Sequence, residues 1–163
     1  MKLAFTTLAC PGWTLEQAAA VGAEQGYEGI ELRLLDGELL EPRLPAPERR
    51  RVGRVTGDAG LAICAVDTSL RLVGTGAEFL DDVRAWCELA AGWSAPVVRV
   101  FGGEPASGVA PADVLPRAGE RLAQAAEIAA PLGVRVAIET HDAFSSAASV
   151  AQLVAHVPPA GSG

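Results

Sequence analysis

The sequence predicts an α/β protein built on a parallel (β/α) barrel, of which it holds about five βα units. Three observations lead there. Short β-branched runs alternate with amphipathic helical segments, the pattern of a parallel sheet with right-handed crossovers. The strand residues also fall into two phases, with Ile30, Leu32, Val98, Val100, Val136 and Ile138 in one and Glu31, Arg33, Arg99 and Glu139 in the other. An open sheet covered on both faces would be apolar in both phases, whereas the mouth of a barrel needs polar groups on its inner layer. The first βα turn, Leu8-Ala9-Cys10-Pro11-Gly12-Trp13, also lacks the glycine fingerprint of a dinucleotide-binding open sheet.

The elements follow in order. Residues 3–7 read as the first strand, and Thr14-Leu15-Glu16-Gln17 forms a capping box that opens a helix to about Gly26. Residues 29–33 make the second strand. A Pro- and Leu-rich loop then leads to a helix over 47–60, with proline in its first turn and glycine at its end. The third strand covers 61–67. Phe79, Val83, Trp86, Cys87 and Ala90 give the third helix its apolar stripe. The fourth strand, 97–101, closes on Gly102-Gly103, where the chain turns tightly. A long helix over 111–132 carries Leu115, Ala118, Leu122, Ala125, Ala129 and Leu132 on one face, the fifth strand covers 134–139, and a fifth helix covers 147–157.

A full barrel takes about 250 residues, roughly 31 per unit, so 163 residues hold about five units and three are expected to be missing. The expected plan is a partial barrel over 1–157 and a flexible tail over 158–163. Half the residues are hydrophobic, enough for one core. No apolar run approaches the ~20 residues of a membrane span. The N-terminus turns polar too soon for a signal peptide, so the cytoplasm is the expected location and no membrane partner is expected. Three cysteines without a Cys-x-x-Cys pair argue against a disulfide framework or zinc knuckle. Cys64 and Cys87 read as small core residues, and Cys10 sits in a loop. The net charge is −7, which disfavours nucleic acid as a partner. The one basic cluster, Arg49-Arg50-Arg51 with Arg54, reads as a solvated helix face.

Chemistry concentrates in residues 134–142, a β-branched run ending in Glu139-Thr140-His141-Asp142. Glu139 and His141 are two apart, so in extended chain they share a face, with Val136 and Ile138 on the other. Clustered acid and imidazole at a strand end is how a barrel's catalytic rim looks in sequence. Glu139 reads either as a site residue or as a strand-end ion-pair partner, and His141 either as functional or as a plain loop histidine. Arg99, deeper in its strand, is expected to pair with an inner carboxylate. Asp67 reads as a cap for the loop after the third strand. Trp13, in the first βα loop, is the tryptophan placed to line a sugar pocket. Trp86 and Trp93 read as packing residues.

Four segments together carry a resemblance: Leu3-Ala4-Phe5-Thr6, Gly26-Tyr27-Glu28-Gly29-Ile30-Glu31-Leu32-Arg33, Val98-Arg99-Val100-Phe101-Gly102-Gly103, and residues 132–142. In that order they resemble the sugar phosphate isomerase/epimerase family, with its xylose-isomerase-like TIM-barrel fold. The resemblance runs to about Val157 and covers the first five-eighths of that barrel. It implies a divalent metal (Mn, Mg, Co or Zn), shared by a Glu ending strand five with an Asp, a His and a Glu from later strands. Only Glu139 matches, so the resemblance implies an incomplete metal site. It further implies that His141 contacts substrate or orients a ligand, and that Glu31 and Arg33 face the sugar; Asp67 and Trp13 are the further candidate substrate-binding residues.

The expected activity is therefore isomerisation or epimerisation of a sugar, sugar phosphate or cyclitol through an enediolate or hydride shift, with a metal stabilising the oxyanion and carboxylates moving the proton. One alternative is a non-catalytic remnant or an assembly half, homo-oligomeric or completed by a separate C-terminal half. An endonuclease IV-like nuclease ranks below both. It needs several metal-binding histidines and a DNA-binding surface, and this chain is acidic with two histidines.

Overall fold

Five parallel strands lie side by side in chain order, which is the arrangement of consecutive units in a barrel wall. The computed structural model describes residues 1–74 and 76–157; the expected tail, 158–163, lies outside the described residues. The strands of the main sheet are β1 (Ala4–Thr6), β2 (Gly29–Leu32), β5 (Ala62–Arg71), β6 (Val97–Phe101) and β7 (Arg135–Glu139). Helices α1 (Leu15–Glu24), α2 (Ala46–Asp58), α3 (Phe79–Gly92), α4 (Pro111–Ala129) and α5 (Ala147–Ala155) follow the successive strands. A two-stranded ribbon of β3 (Leu34–Leu35) and β4 (Glu38–Leu39) interrupts the second unit.

The two phases read from sequence become two faces. Register pairs Val98 with Val136 and Val100 with Ile138, against the helices, and aligns Arg99 with Ala137 and Phe101 with Glu139 on the opposite face. Ile30, Leu32, Val66, Val98 and Val100 are all essentially inaccessible. Each such side chain withdrawn from water contributes on the order of 1.5–3 kcal/mol before the entropy of ordering is counted. Phe79, Val83, Trp86, Cys87 and Ala90 on α3, and Leu115, Ala118, Leu122, Ala125 and Ala129 on α4, are buried as their spacing requires. Leu132 is an exception. The helix tightens into a 3-10 turn over Ala130–Leu132, which rotates Leu132 off the stripe and leaves it exposed.

Local chemistry explains the boundaries. Thr14 and Gln17 make the expected reciprocal capping box, and Ser146 with Ser149 makes a second one on α5. The expected Pro- and Leu-rich loop contains the β3–β4 ribbon, turned by Asp36 and Gly37 at φ 54° and 88°. Two successive positive φ values suit an Asp-Gly pair in a tight hairpin. Asp36 then accepts from the Leu15 N–H at 2.8 Å and pairs with Arg51, which also binds Glu16 and Glu48. Arg51 thus ties the ribbon and α1 to α2, so it is an inter-element clamp rather than part of a solvated face.

The third strand is longer than expected, running to Arg71 rather than ending at Asp67. Its register with β6 shifts between Asp67 and Arg71. Buried Thr68 stabilises the irregularity, donating to the Arg99 carbonyl at 2.8 Å and accepting from the Leu70 N–H at 3.0 Å. At the other end of the sheet, buried Thr7 accepts from the N–H groups of both Arg33 and Leu34, at 3.0 and 2.8 Å. That hydroxyl fixes where the chain leaves β2, and with it the position of Arg33. All three cysteines are free, and Cys87 is buried as expected, its thiol pushed up to about 11 by burial. Cys64 departs from expectation. It is only half-buried, and its thiol donates to the Ile30 carbonyl. Among the described residues no helix is long and apolar enough to cross a membrane.

Candidate functional site

Arg99 organises the polar inner face. From the middle of β6 its Nη2 reaches Asp67 on β5 at 3.1 Å, and its Nε reaches Glu139 at the end of β7 at 2.8 Å. Its Nη1 donates to the Thr68 carbonyl at 2.9 Å, and its plane lies 4.2 Å over the Phe101 ring. A guanidinium presents a flat fork of donors, so it can join carboxylates from strands on either side while its face stacks on an aromatic ring. Arg99 is nearly buried, and so is Asp67; the Glu139 side chain remains 41 % exposed. The expected pairing of Arg99 with an inner carboxylate is present, with two carboxylates rather than one.

His141 follows β7 with its backbone still extended, so it stays on the face of Glu139 although the strand has ended. Its ring sits 4.9 Å from that of Phe101, centroid to centroid, and its Nδ1 lies 2.7 Å from Asp142 Oδ1. Asp142 adopts φ 52°, a left-handed turn that aspartate tolerates. The structure therefore brings Glu139, His141, Arg99 and Phe101 into one cluster at the carboxyl ends of β6 and β7.

Arg33 enters from the end of β2, its Nη2 donating to Ser69 at 2.9 Å. Burial, with Arg99 nearby, holds its guanidinium below the usual arginine range. Two buried atoms on this face, Arg33 Nη1 and Asp67 Oδ1, have no hydrogen-bond partner among the described residues. Asp67 does not cap a loop, because β5 continues past it and carries it into the ion pair with Arg99. Its carboxyl is pushed up to about 6, first by burial and next by its contact with the Glu31 carboxyl. Two carboxyl groups in contact at low solvent exposure favour a shared proton, which would give Asp67 Oδ1 a partner in Glu31.

The raised value has a sign that can be measured. An unfolded aspartate titrates at roughly 3.9, so the folded protein holds the Asp67 proton more tightly. Stability from this residue is complete below about pH 4 and is lost as pH rises through about 6, by on the order of 3 kcal/mol. Asp67→Asn keeps a neutral amide there. Its stability relative to the parent is expected to improve between about pH 4 and pH 6 and to level off above, as urea titrations at several pH values would show.

Trp13 lies elsewhere. It is partly exposed and lines a separate groove with Phe5, Cys10, Val21 and Tyr27, against α1 and the β1 edge of the sheet. None of the Arg99 cluster borders that groove. Ser69 and Phe101 join the inner face, and Thr7 and Thr68 fix the backbone beside it, although the sequence assigns none of the four a role there.

The described residues do not by themselves fit a metal centre. The exposed carboxylate of Glu139 is engaged by Arg99 at 2.8 Å, so a cation already sits where a metal would bind it. Among the described residues no three His, Cys, Asp or Glu side chains converge to hold an ion, and a catalytic site normally supplies three or more protein ligands.

Comparison with known proteins supports the architecture. No curated protein matches the sequence. Among solved structures, the probable 3-DHS dehydratase AsbF of Bacillus anthracis is similar at 19 % identity and a TM-score of 0.75, over 96 % of this chain and 59 % of that one. D-psicose 3-epimerase is similar at 14 % identity and a TM-score of 0.72, over 94 % and 60 %. A sugar phosphate isomerase/epimerase of Parabacteroides distasonis is similar at 13 % identity and a TM-score of 0.66, over 96 % and 62 %. The chain thus spans about 60 % of the length of these structures, and at such identities the likeness is one of fold. Residues 17–161, nearly the whole sequence, match the description of one family, so the chain belongs to the xylose isomerase-like TIM barrels.

Proposed function

We propose that the protein acts in the cytoplasm on a sugar, sugar phosphate or cyclitol, isomerising or epimerising it by moving a proton beside a carbonyl. The observation that carries this reading is the convergence of Glu139, His141, Arg99, Asp67 and Arg33 on one inner face at the carboxyl ends of the strands, where barrels of this kind place their chemistry.

Glu139 takes the proton from carbon, its carboxylate held in one orientation by the Arg99 Nε. A base held still by a partner needs less reordering as the proton moves. His141, stacked beside Phe101, stands within the same cluster to hold a substrate hydroxyl or exchange its proton. The buried, unpartnered Nη1 of Arg33 offers a donor to a substrate oxygen. Glu31 and Asp67 together offer a carboxyl that can carry a proton near neutral pH, so an acid and a base are present on one face.

The second reading is an assembly half. It is favoured by the match to about 60 % of each solved structure and by the lack of a complete ligand set among the described residues. In that reading a second polypeptide, or a second copy of this chain, completes the mouth and supplies the remaining ligands of any divalent metal.

Proton exchange tests the activity whatever the product. Incubating the protein in D2O with a panel of ketoses, with and without Mn²⁺, is expected to wash deuterium into the carbon next to the carbonyl. The exchange is expected to fall at least a hundredfold in Glu139→Gln, as proton NMR of the sugar would show. Exchange that survives Glu139→Gln would remove Glu139 from the mechanism. No exchange from the chain alone, with exchange restored by a complementing polypeptide, would favour the assembly half.

A further inference from the structure

We propose that the cleft between α2 and α3, on the outer helix layer and separate from the inner face, binds a small molecule carrying a diphosphate group. The cleft encloses about 420 Å³ and is lined on the α2 side by Ala46, Arg49, Arg50, Gly53 and Arg54. These positions are spaced three and four apart, so they form one helix face. Across from them lie Glu88, Leu89, Gly92 and Trp93. A volume of this size suits a small ligand rather than a protein segment.

Arg49, Arg50 and Arg54 are exposed and make no ion pair among the described residues, although the chain carries a net charge of −7 and offers many acidic partners. Their neighbour Arg51 engages three of those acids. The lining of the cleft includes three arginines and one acidic residue, Glu88. Guanidinium forks match phosphate oxygens two at a time, and a diphosphate spans more than one such fork.

The first turn of α2 lies at the cleft through Ala46, and no side chain caps it. Pro47 has no N–H, so the Ala46 and Glu48 N–H groups and the positive end of the helix dipole add to the guanidiniums. The Trp93 indole is fixed by its Nε1 donating to the Arg49 carbonyl at 2.9 Å. The ring packs close against the α2 backbone, 3.7 Å from where a Cβ on Gly53 would stand. A rigid aromatic wall beside clustered arginines would hold a ring system as well as an anion. The free diphosphate and a nucleoside diphosphate share the recognised chemistry, and their affinities would distinguish them.

The test is calorimetry of the intact chain with pyrophosphate, with ADP and with sulfate at fixed ionic strength, alongside Trp93 fluorescence. Saturable binding of pyrophosphate or ADP is expected, at least tenfold tighter than sulfate. It is expected to weaken at least tenfold in Arg50→Ala/Arg54→Ala, whose exposed side chains can be removed without disturbing the core. ADP binding more tightly than pyrophosphate, with the excess lost in Trp93→Phe, would identify a nucleoside diphosphate; equal affinities would identify the diphosphate alone. Glu139→Gln is expected to leave binding unchanged, so this result stands or falls apart from the inner-face reaction. The proposal would be overturned by no saturation at millimolar ligand, by binding no stronger than sulfate, or by undiminished binding in the double arginine variant.

Discussion

Replacing Arg99 by methionine is expected to destabilise the fold by about 3–5 kcal/mol, the usual cost of removing one partner from a buried ion pair. The side chain serves two carboxylates, one backbone carbonyl and one aromatic face at once. Methionine can fill the stem's volume but satisfies none of the polar partners. Asp67 bears most of the loss, because it is 4 % exposed and Arg99 is its nearest cation. Glu139 can still turn to water. The effect is therefore expected to shrink sharply in Arg99→Met/Asp67→Leu, where the stranded carboxylate is gone, and equilibrium urea unfolding of these two variants and of Asp67→Leu alone would read it. If the double variant were as unstable as the sum of the two single ones, the buried pair would not be what Arg99 stabilises.

The second large effect is expected at Gly103, just past β6. Its φ is +89°, and a Cβ there would stand 2.6 Å from the Val73 carbonyl oxygen and 3.1 Å from the Arg71 Cβ. The chain has no slack at this point, because Leu72 and Val73 donate to the carbonyls of Phe101 and Gly102 at 3.0 and 2.9 Å. Gly103→Ala is expected to cost about 3 kcal/mol or more, from backbone strain together with a backbone collision that no rotamer relieves. Gly26 provides the control. It also has positive φ, 79°, but nothing lies within 4 Å of its Cβ position, so Gly26→Ala should lose only about 1 kcal/mol. Thermal melts of the two variants side by side would separate strain from collision.

Much of the fold is legible because the strands carry their own signature. Val97 to Phe101 alternates so cleanly that its bounds follow from sequence, and the capping box at Thr14 fixes the start of α1. The β3–β4 ribbon has a signal too, Asp36-Gly37 between short apolar pairs, but it is hidden in a segment whose prolines suggest a plain loop. Residues that act across long sequence separations leave no such trace. Thr7 holds the Arg33 N–H from 26 positions away, and Thr68 holds the Arg99 carbonyl from 31. A threonine that accepts a backbone bond reads the same in sequence as one that merely suits a strand.

The site is legible in its residue types more than in its roles. Glu139 and Arg99 are readable as an inward polar set because they sit in one phase of two β-branched strands, with His141 two residues beyond Glu139. Asp67 looks like a loop cap in sequence because the bulge that lengthens β5 depends on Thr68 rather than on any punctuation in the chain. Trp13 is placed near a sugar pocket by its loop alone, and the loop carries it to the α1 side. The partnership between Arg99 and Glu139 requires the register of β6 with β7, since it decides whether a carboxylate at a strand end meets a cation or stands free.

Calorimetric titration of the isolated chain with Mn²⁺ tests most directly the claim that Arg99, rather than a metal, holds Glu139 here. The expected result is heat no larger than that of weak surface binding, with no stoichiometric site at micromolar concentration and no difference between the parent and Glu139→Ala. A 1:1 micromolar site abolished by Glu139→Ala would contradict it, because Glu139 would then have exchanged its arginine for a metal and found its remaining ligands elsewhere.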